Sequence, residues 1–131
     1  MMSYLWVGLG GAIGSMLRFW LSGLIAGTKL GEIFPLGTLL VNIIGSLVIG
    51  LVGALTSPEG RFAPHWRVLA TQLLMVGICG GYTTFSSFSL QTLNLARDGQ
   101  WLYAGLNIGL SVVLCLVGVW LGYAFGEILN R

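Results

Sequence analysis

Four stretches of this chain are each long and apolar enough to cross a bilayer, and almost nothing lies between them. A span needs about 20 consecutive apolar residues, and such runs occupy roughly Tyr4–Ala26, Leu36–Thr56, Val68–Ala96 and Leu102–Gly126. The connections read GTKLGEIFP, SPEGRFAPHWR and RDGQ, too short for a soluble domain. Only 8% of the residues are charged, against about 25% in soluble proteins. All three prolines (Pro35, Pro58 and Pro64) fall between the runs, and Pro35 and Pro64 stand where a proline can open the next helix. The expectation is an all-α integral membrane protein. Residues 1–131 form a single four-helix membrane domain with spans at about 4–26, 36–56, 68–96 and 102–126. The first run has no basic flank ahead of it and its glycine pattern outlasts a signal-peptide core, so a cleaved signal peptide is not expected.

Four spans put both termini on one side, together with the middle loop. That side carries Arg61, Arg67 and Arg131. The other carries Lys29 and Arg97, with Arg18 near enough to snorkel towards it. Orientation normally follows a Lys/Arg excess on the cytoplasmic side, and here neither side has one. Either a partner decides the orientation, or equal numbers of copies insert each way and opposed copies pair. Size favours a pair as well, because four helices pack around their own side chains and leave no wide passage. A two-fold dimer is the commonest closed assembly, and with its axis in the membrane plane it has the symmetry of inverted-repeat transporters.

Glycine supplies 21 of the 131 residues, roughly twice the ~7% of average proteins. Gly10 and Gly14 make a GxxxG pair in the first span, and Gly118, Gly122 and Gly126 make two such steps in the last. Lipid gives helices no hydrophobic reason to associate, so small residues that let backbones approach take that role. These glycines predict tight packing and no chemistry. Cys79 and Cys115 lie inside spans without metal-ligand spacing, as small hydrophobes do.

All four acidic residues (Glu32, Glu59, Asp98 and Glu127) and His65 lie in loops or near helix ends. No carboxylate or histidine sits at mid-membrane depth, which removes the usual parts of a proton relay. It also removes the acid–base pairs and metal sets of an intramembrane enzyme, so an enzyme is not expected. What remains is neutral and patterned. Thr38, Asn42, Gly45 and Ser46 follow one face of the second span, and Asn107, Ser111 and Cys115 one face of the fourth. Thr84, Ser87 and Gln91 do so in the third, with Ser86 and Ser89 in an adjoining row. Such residues can be interhelical glue worth ~1 kcal/mol or less each, or together the lining of a narrow path for something small and polar.

The stretch GICGGYTTFSSFSLQ, residues 77–91, is the least lipid-like part of any span. Three glycines within five residues weaken a helix by about 1 kcal/mol each relative to alanine. Two outcomes are open: a break whose freed carbonyls are met by protein, water or an ion, or a kink healed by the hydroxyls of Thr83 and Thr84. Phe85 and Phe88, three apart, share a face. Their rings can simply pack, or can turn positive edges towards an anion. An uncharged, donor-rich path suits an anion that must leave as well as enter, since conduction needs weak or multiple sites. Dehydrating an ion costs on the order of tens of kcal/mol in a bare low-dielectric medium, so several donors are required along the way.

The segment GGYTTFSSFS closely resembles the GGhTTFSTFS signature of the Fluc/CrcB family of fluoride channels. GGAIGSMLRFW is similar to that family's first-helix glycine–arginine motif, and PLGTLLVNIIGS to its second-helix GT…N…G motif. The resemblance runs the length of the chain. It implies an antiparallel, dual-topology homodimer in the cytoplasmic (inner) membrane, with a break in the third helix and two pathways for passive fluoride efflux that relieves toxicity. By that resemblance Phe85 and Phe88 line the pores, with Asn42 beside them, Ser86 and Ser87 in a polar track, and Ser111 contributing from the fourth helix. The carbonyls of Gly80 and Thr83 from both copies would hold a structural sodium ion (Na+) at the dimer centre, and Arg18 would lie near a vestibule. Two departures stand out: Ser87 replaces a threonine, keeping the hydroxyl, and Cys115 replaces a serine with a weaker donor. Tyr82 occupies a variable position and receives no role. A small dual-topology drug or metabolite exporter is the main alternative, and the missing intramembrane carboxylate disfavours it. A purely structural membrane subunit is a third.

Overall fold

The computed structural model describes all 131 residues, and its secondary structure is entirely helical. Helix α1 spans Met2–Ala26, α2 Lys29–Ile33 and α3 Leu36–Leu55. The third stretch is composite: α4 (Pro64–Ala70) runs into a π-helical segment (Thr71–Cys79), then α5 (Gly80–Tyr82) and α6 (Phe85–Arg97). Helix α7 spans Trp101–Asn130. Four segments are long and apolar enough to cross a membrane: α1, α3, the stretch Pro64–Arg97, and α7. Only 20 of 131 residues are buried, while large apolar side chains, leucines above all, cover the outside of every long helix. That inside-out distribution is stable only in lipid, and the chain is a multi-pass membrane protein.

Helix boundaries follow local chemistry. Pro64 sits in the first turn of α4, so the third segment starts four residues ahead of the expected Val68. Arg67 does not interrupt it, because its Nε donates to Phe62 O and its Nη2 to Pro58 O, both at 2.7 Å, which ties the middle loop to the helix. The Thr28 hydroxyl caps α2, a short helix within the first connection that was not foreseen, by accepting from Gly31 N at 3.1 Å. Helix α6 ends on Gly99 at φ +76°. Gln100 N donates to Leu95 O and Gly99 N to Ala96 O, the paired bonds of a Schellman close, which needs glycine for its left-handed residue.

Two glycine seams hold the bundle together. Along α3 and α7, a Cβ on Gly122 would strike the backbone of Leu47 and Leu51, and one on Gly50 the backbone of Val119 and Tyr123. Along α1 and the third segment, a Cβ on Gly10 would lie 2.8 Å from Gly77 Cα, one on Gly14 2.8 Å from Tyr82 N, and one on Gly81 2.6 Å from Gly11 O. The run Gly77, Gly80, Gly81, read above as a weak point, is therefore helical and mostly serves contact: Gly80 has φ −64° and ψ −38°. The sequence-level reading missed this because close approach and helix weakness call for the same residue.

Hydrogen bonds gather the middle loop and both termini at one end. Arg61 N donates to Asn130 Oδ1, Asn130 Nδ2 to Ala54 O, and Gln72 Nε2 to Ser3 Oγ, all at 3.0 Å. At the other end Phe34 and Tyr103 meet edge-on, with ring centroids 6.2 Å apart.

Candidate functional site

Between α5 and α6 the backbone leaves helical geometry for two residues. Thr83 has φ −81° and ψ 155°, and Thr84 φ −149° and ψ 116°. Their hydroxyls stitch the flanking helices: Thr83 Oγ1 donates to Cys79 O at 2.9 Å, and Thr84 Oγ1 caps α6 by accepting from Ser87 N at 3.2 Å. The peptide of Thr84 is met from α3. Asn42 Oδ1 accepts from Thr84 N at 2.8 Å, and Asn42 Nδ2 donates to Thr84 O at 3.1 Å. One side-chain amide thus pairs with both polar groups of one backbone residue, as an opposing strand would, meeting the demand that such groups be satisfied inside a membrane.

This pairing affects two carbonyls. In an unbroken helix Gly80 O would accept from Thr84 N and Thr83 O from Ser87 N. Those donors instead go to Asn42 and to the Thr84 hydroxyl. Gly81 O, next to these carbonyls, receives Arg18 Nε at 3.2 Å. Arg18 thereby ties α1 to the interruption.

Two open cavities flank it. The first, about 410 Å³, lies among α3, α6 and α7 and is lined by Asn42, Ser46, Thr83, Thr84, Phe85, Phe88, Ser111 and Cys115 together with apolar neighbours. No charged side chain lines it. The Phe85 and Phe88 rings are 5.3 Å apart and tilted by 49°, so they do not stack face to face. Phe85 is 78% exposed. Ser111 is largely buried at 8%, its hydroxyl brought to the cavity by α7. The second cavity, about 400 Å³, lies among α1, α2, α3 and α6 and is more polar than the first, with Arg18, Ser22, Thr38, Ser87 and Gln91 in its walls.

A family profile described as "CrcB-like protein, Camphor Resistance (CrcB)" matches residues 5–123. The chain belongs to this CrcB-like family. Among curated relatives, the fluoride-specific ion channel FluC of Rhodospirillum rubrum is 60% identical over 132 residues, covering 99% of this chain and 98% of that one. The protein of the same name from Paramagnetospirillum magneticum is 56% identical over the whole of both chains. That of Methylocella silvestris is 52% identical over 99% of this chain and 97% of its own.

Within this CrcB-like chain, the residues singled out from sequence are distributed unevenly. Asn42, Phe85, Phe88 and Ser111 come together on the first cavity, and Thr83 joins them. Ser87 and Arg18 lie on the second. Ser86 lines neither: it is exposed, with its Oγ 3.3 Å from Thr84 Oγ1. Gly80 is also exposed. The polar stripe of the fourth span divides. Ser111 and Cys115 reach the cavity, while Asn107, 2% exposed, donates from Nδ2 to Thr92 Oγ1 at 2.9 Å, and Thr92 in turn donates to Phe88 O at 2.7 Å. Asn107 is therefore glue, holding the turn that carries Phe88. From sequence, Thr84 belongs to the third-span polar stripe but is not among the residues assigned to the pore. Its signal was present, a polar residue at the head of the third-span stripe, yet nothing in the pattern said that α3 would reach it.

Proposed function

We propose that this protein is a fluoride-selective ion channel. It lets fluoride leave passively down its electrochemical gradient, which reduces fluoride toxicity, and it works as an antiparallel, dual-topology homodimer in the cytoplasmic (inner) membrane. The observation that carries this reading is the first cavity, where Phe85 and Phe88 share the wall with Asn42 and Ser111 and no charged side chain lines it. Asn42 uses one Nδ2–H on Thr84 O, and an amide has a second to offer. A small anion held by neutral donors and ring edges is partly repaid for its lost water without being trapped, the condition for conduction. The curated relatives bear the name of a fluoride-specific channel. The second reading from sequence, a proton-coupled exporter, still lacks a carboxylate on either cavity.

The two extended residues Thr83 and Thr84 are read as the functional break in the third span. Phe85, Gly80 and Ser86 are exposed in one protomer, and a second, inverted copy would cover them and complete two pathways. The carbonyls of Gly80 and Thr83 suit a sodium ion shared with the partner copy, because their helical donors are engaged elsewhere. Such an ion would supply a fixed positive charge, and Gly80 and Thr83 would hold it through their backbone carbonyls. Membrane lipid covers the remaining apolar surface. Purified protein in liposomes loaded with fluoride or chloride tests the whole reading. The expected result is rapid, valinomycin-dependent fluoride release with negligible chloride release; equal rates for both ions would refute selectivity, and absence of both would refute the channel.

A further inference from the structure

The two cavities have one lining residue in common, Thr84. Its backbone is clamped by Asn42 at both N–H and C=O, so the wall between the cavities is a fixed point. Its hydroxyl, in contrast, is the hub of a cluster: 3.1 Å from Ser87 Oγ and 3.3 Å from Ser86 Oγ, while accepting from Ser87 N. The cavity on the Arg18 side presents more polar groups than the other, Arg18, Ser22, Thr38, Ser87 and Gln91 among them. Gln91 lies in its wall, with Oε1 buried and without a hydrogen-bond donor. The side holding Phe85 and Phe88 is the more apolar of the two.

From this juxtaposition we infer that Thr84 is the hand-over point of the ion path within a protomer: its O–H turns from the more polar cavity of Arg18 to the cavity of the phenylalanines, donating to the anion on each side in turn. The inference rests on the fluoride-channel reading and adds a residue to it. A hydroxyl suits the task because it has one rotatable proton and no fixed charge. Its lone pair can keep capping α6 through Ser87 N while the proton swings. An ion passing Thr84 keeps a donor on either side of it.

Fluoride efflux from liposomes, with variants first checked for wild-type elution and thermal unfolding, tests this. Thr84→Ser keeps the hydroxyl and the cap and is expected to conduct within about twofold of wild type. Thr84→Val removes the hydroxyl at nearly constant shape and is expected to fall at least about tenfold, a barrier change readable in rate. Thr84→Val also removes the cap, so Thr84→Asn is included: asparagine caps helices well yet fills the wall with a planar amide, and it is expected to fall by a similar factor while staying folded. Wild-type flux in Thr84→Asn or Thr84→Val would overturn the inference, as would a Thr84→Ser variant as slow as Thr84→Val. Wild-type protein that releases no fluoride would instead overturn the channel reading, so the two failures are distinguishable.

Discussion

Asn42 illustrates how one side chain can serve geometry and chemistry together. Its amide substitutes for the helical partners that Thr84 has lost, and it still borders the cavity of Phe85 and Phe88. Within a membrane each interhelical hydrogen bond is worth about 0.6 kcal/mol and at most ~1.7, so this pair stabilises the interruption modestly but aims it well. The two phenylalanines behave differently from each other. Phe88 is half-buried and anchored through Thr92 to Asn107, whereas Phe85 projects outward. Both Phe85→Ile and Phe88→Ile keep the apolar volume roughly and remove the positive ring edge. Each is expected to cut fluoride efflux at least about tenfold, ~1.4 kcal/mol in barrier, while unfolding temperature stays near wild type. Full flux in both variants would show that the rings only pack.

At the scale of elements, the interruption is held from three sides. Arg18 reaches it from α1, Asn42 from α3, and the Thr83 hydroxyl ties it back to the π segment. That segment lies against α1 along the glycine seam, where backbones touch with no room for a methyl group. Overpacking of this kind costs typically ~1–3 kcal/mol even where side chains can shift, and here the obstacle is backbone. Gly14→Ala and Gly122→Ala are each expected to lower the unfolding temperature in detergent sharply and to reduce the yield of folded protein. Gly8, with nothing within 4 Å of its added Cβ, is the internal control. Gly8→Ala is expected to leave stability unchanged or slightly raised, since alanine is the better helix former by about 1 kcal/mol. Equal effects at Gly8 and Gly14 would mean that the seam is not what selects glycine.

For the whole molecule, the distribution of charge has no preferred direction. The end that gathers the middle loop and termini carries Arg61, Arg67 and Arg131 with Glu59 and Glu127. The other end carries Lys29 and Arg97, with Arg18 nearby, and Glu32 and Asp98. Neither end has the Lys/Arg excess that fixes orientation. A tag after Arg131 is expected to be accessible from both sides of the membrane in intact cells and inverted vesicles, in roughly equal amounts by the same rule. Protection from one side only would rule out the inverted pair. An inverted partner would also account for the exposure of Phe85, because a ring 78% exposed in one protomer needs a second surface to become part of an enclosed path.

The number of spans, the near absence of charge and the balance of the two ends were legible from sequence, because they depend on length and composition, which the bilayer reads directly. So was the family signature, which lies in contiguous residues from Gly80 to Ser89. Tertiary structure alone decided that Asn42 meets Thr84 rather than standing free, that Ser111 lines the cavity while Asn107 does not, and that Thr84 lines both cavities. Helical spacing assigns a residue to a face of its own helix. Which neighbour that face meets, and at what height, is set by how closely the glycine seams let the backbones approach, and that follows only from the packed bundle.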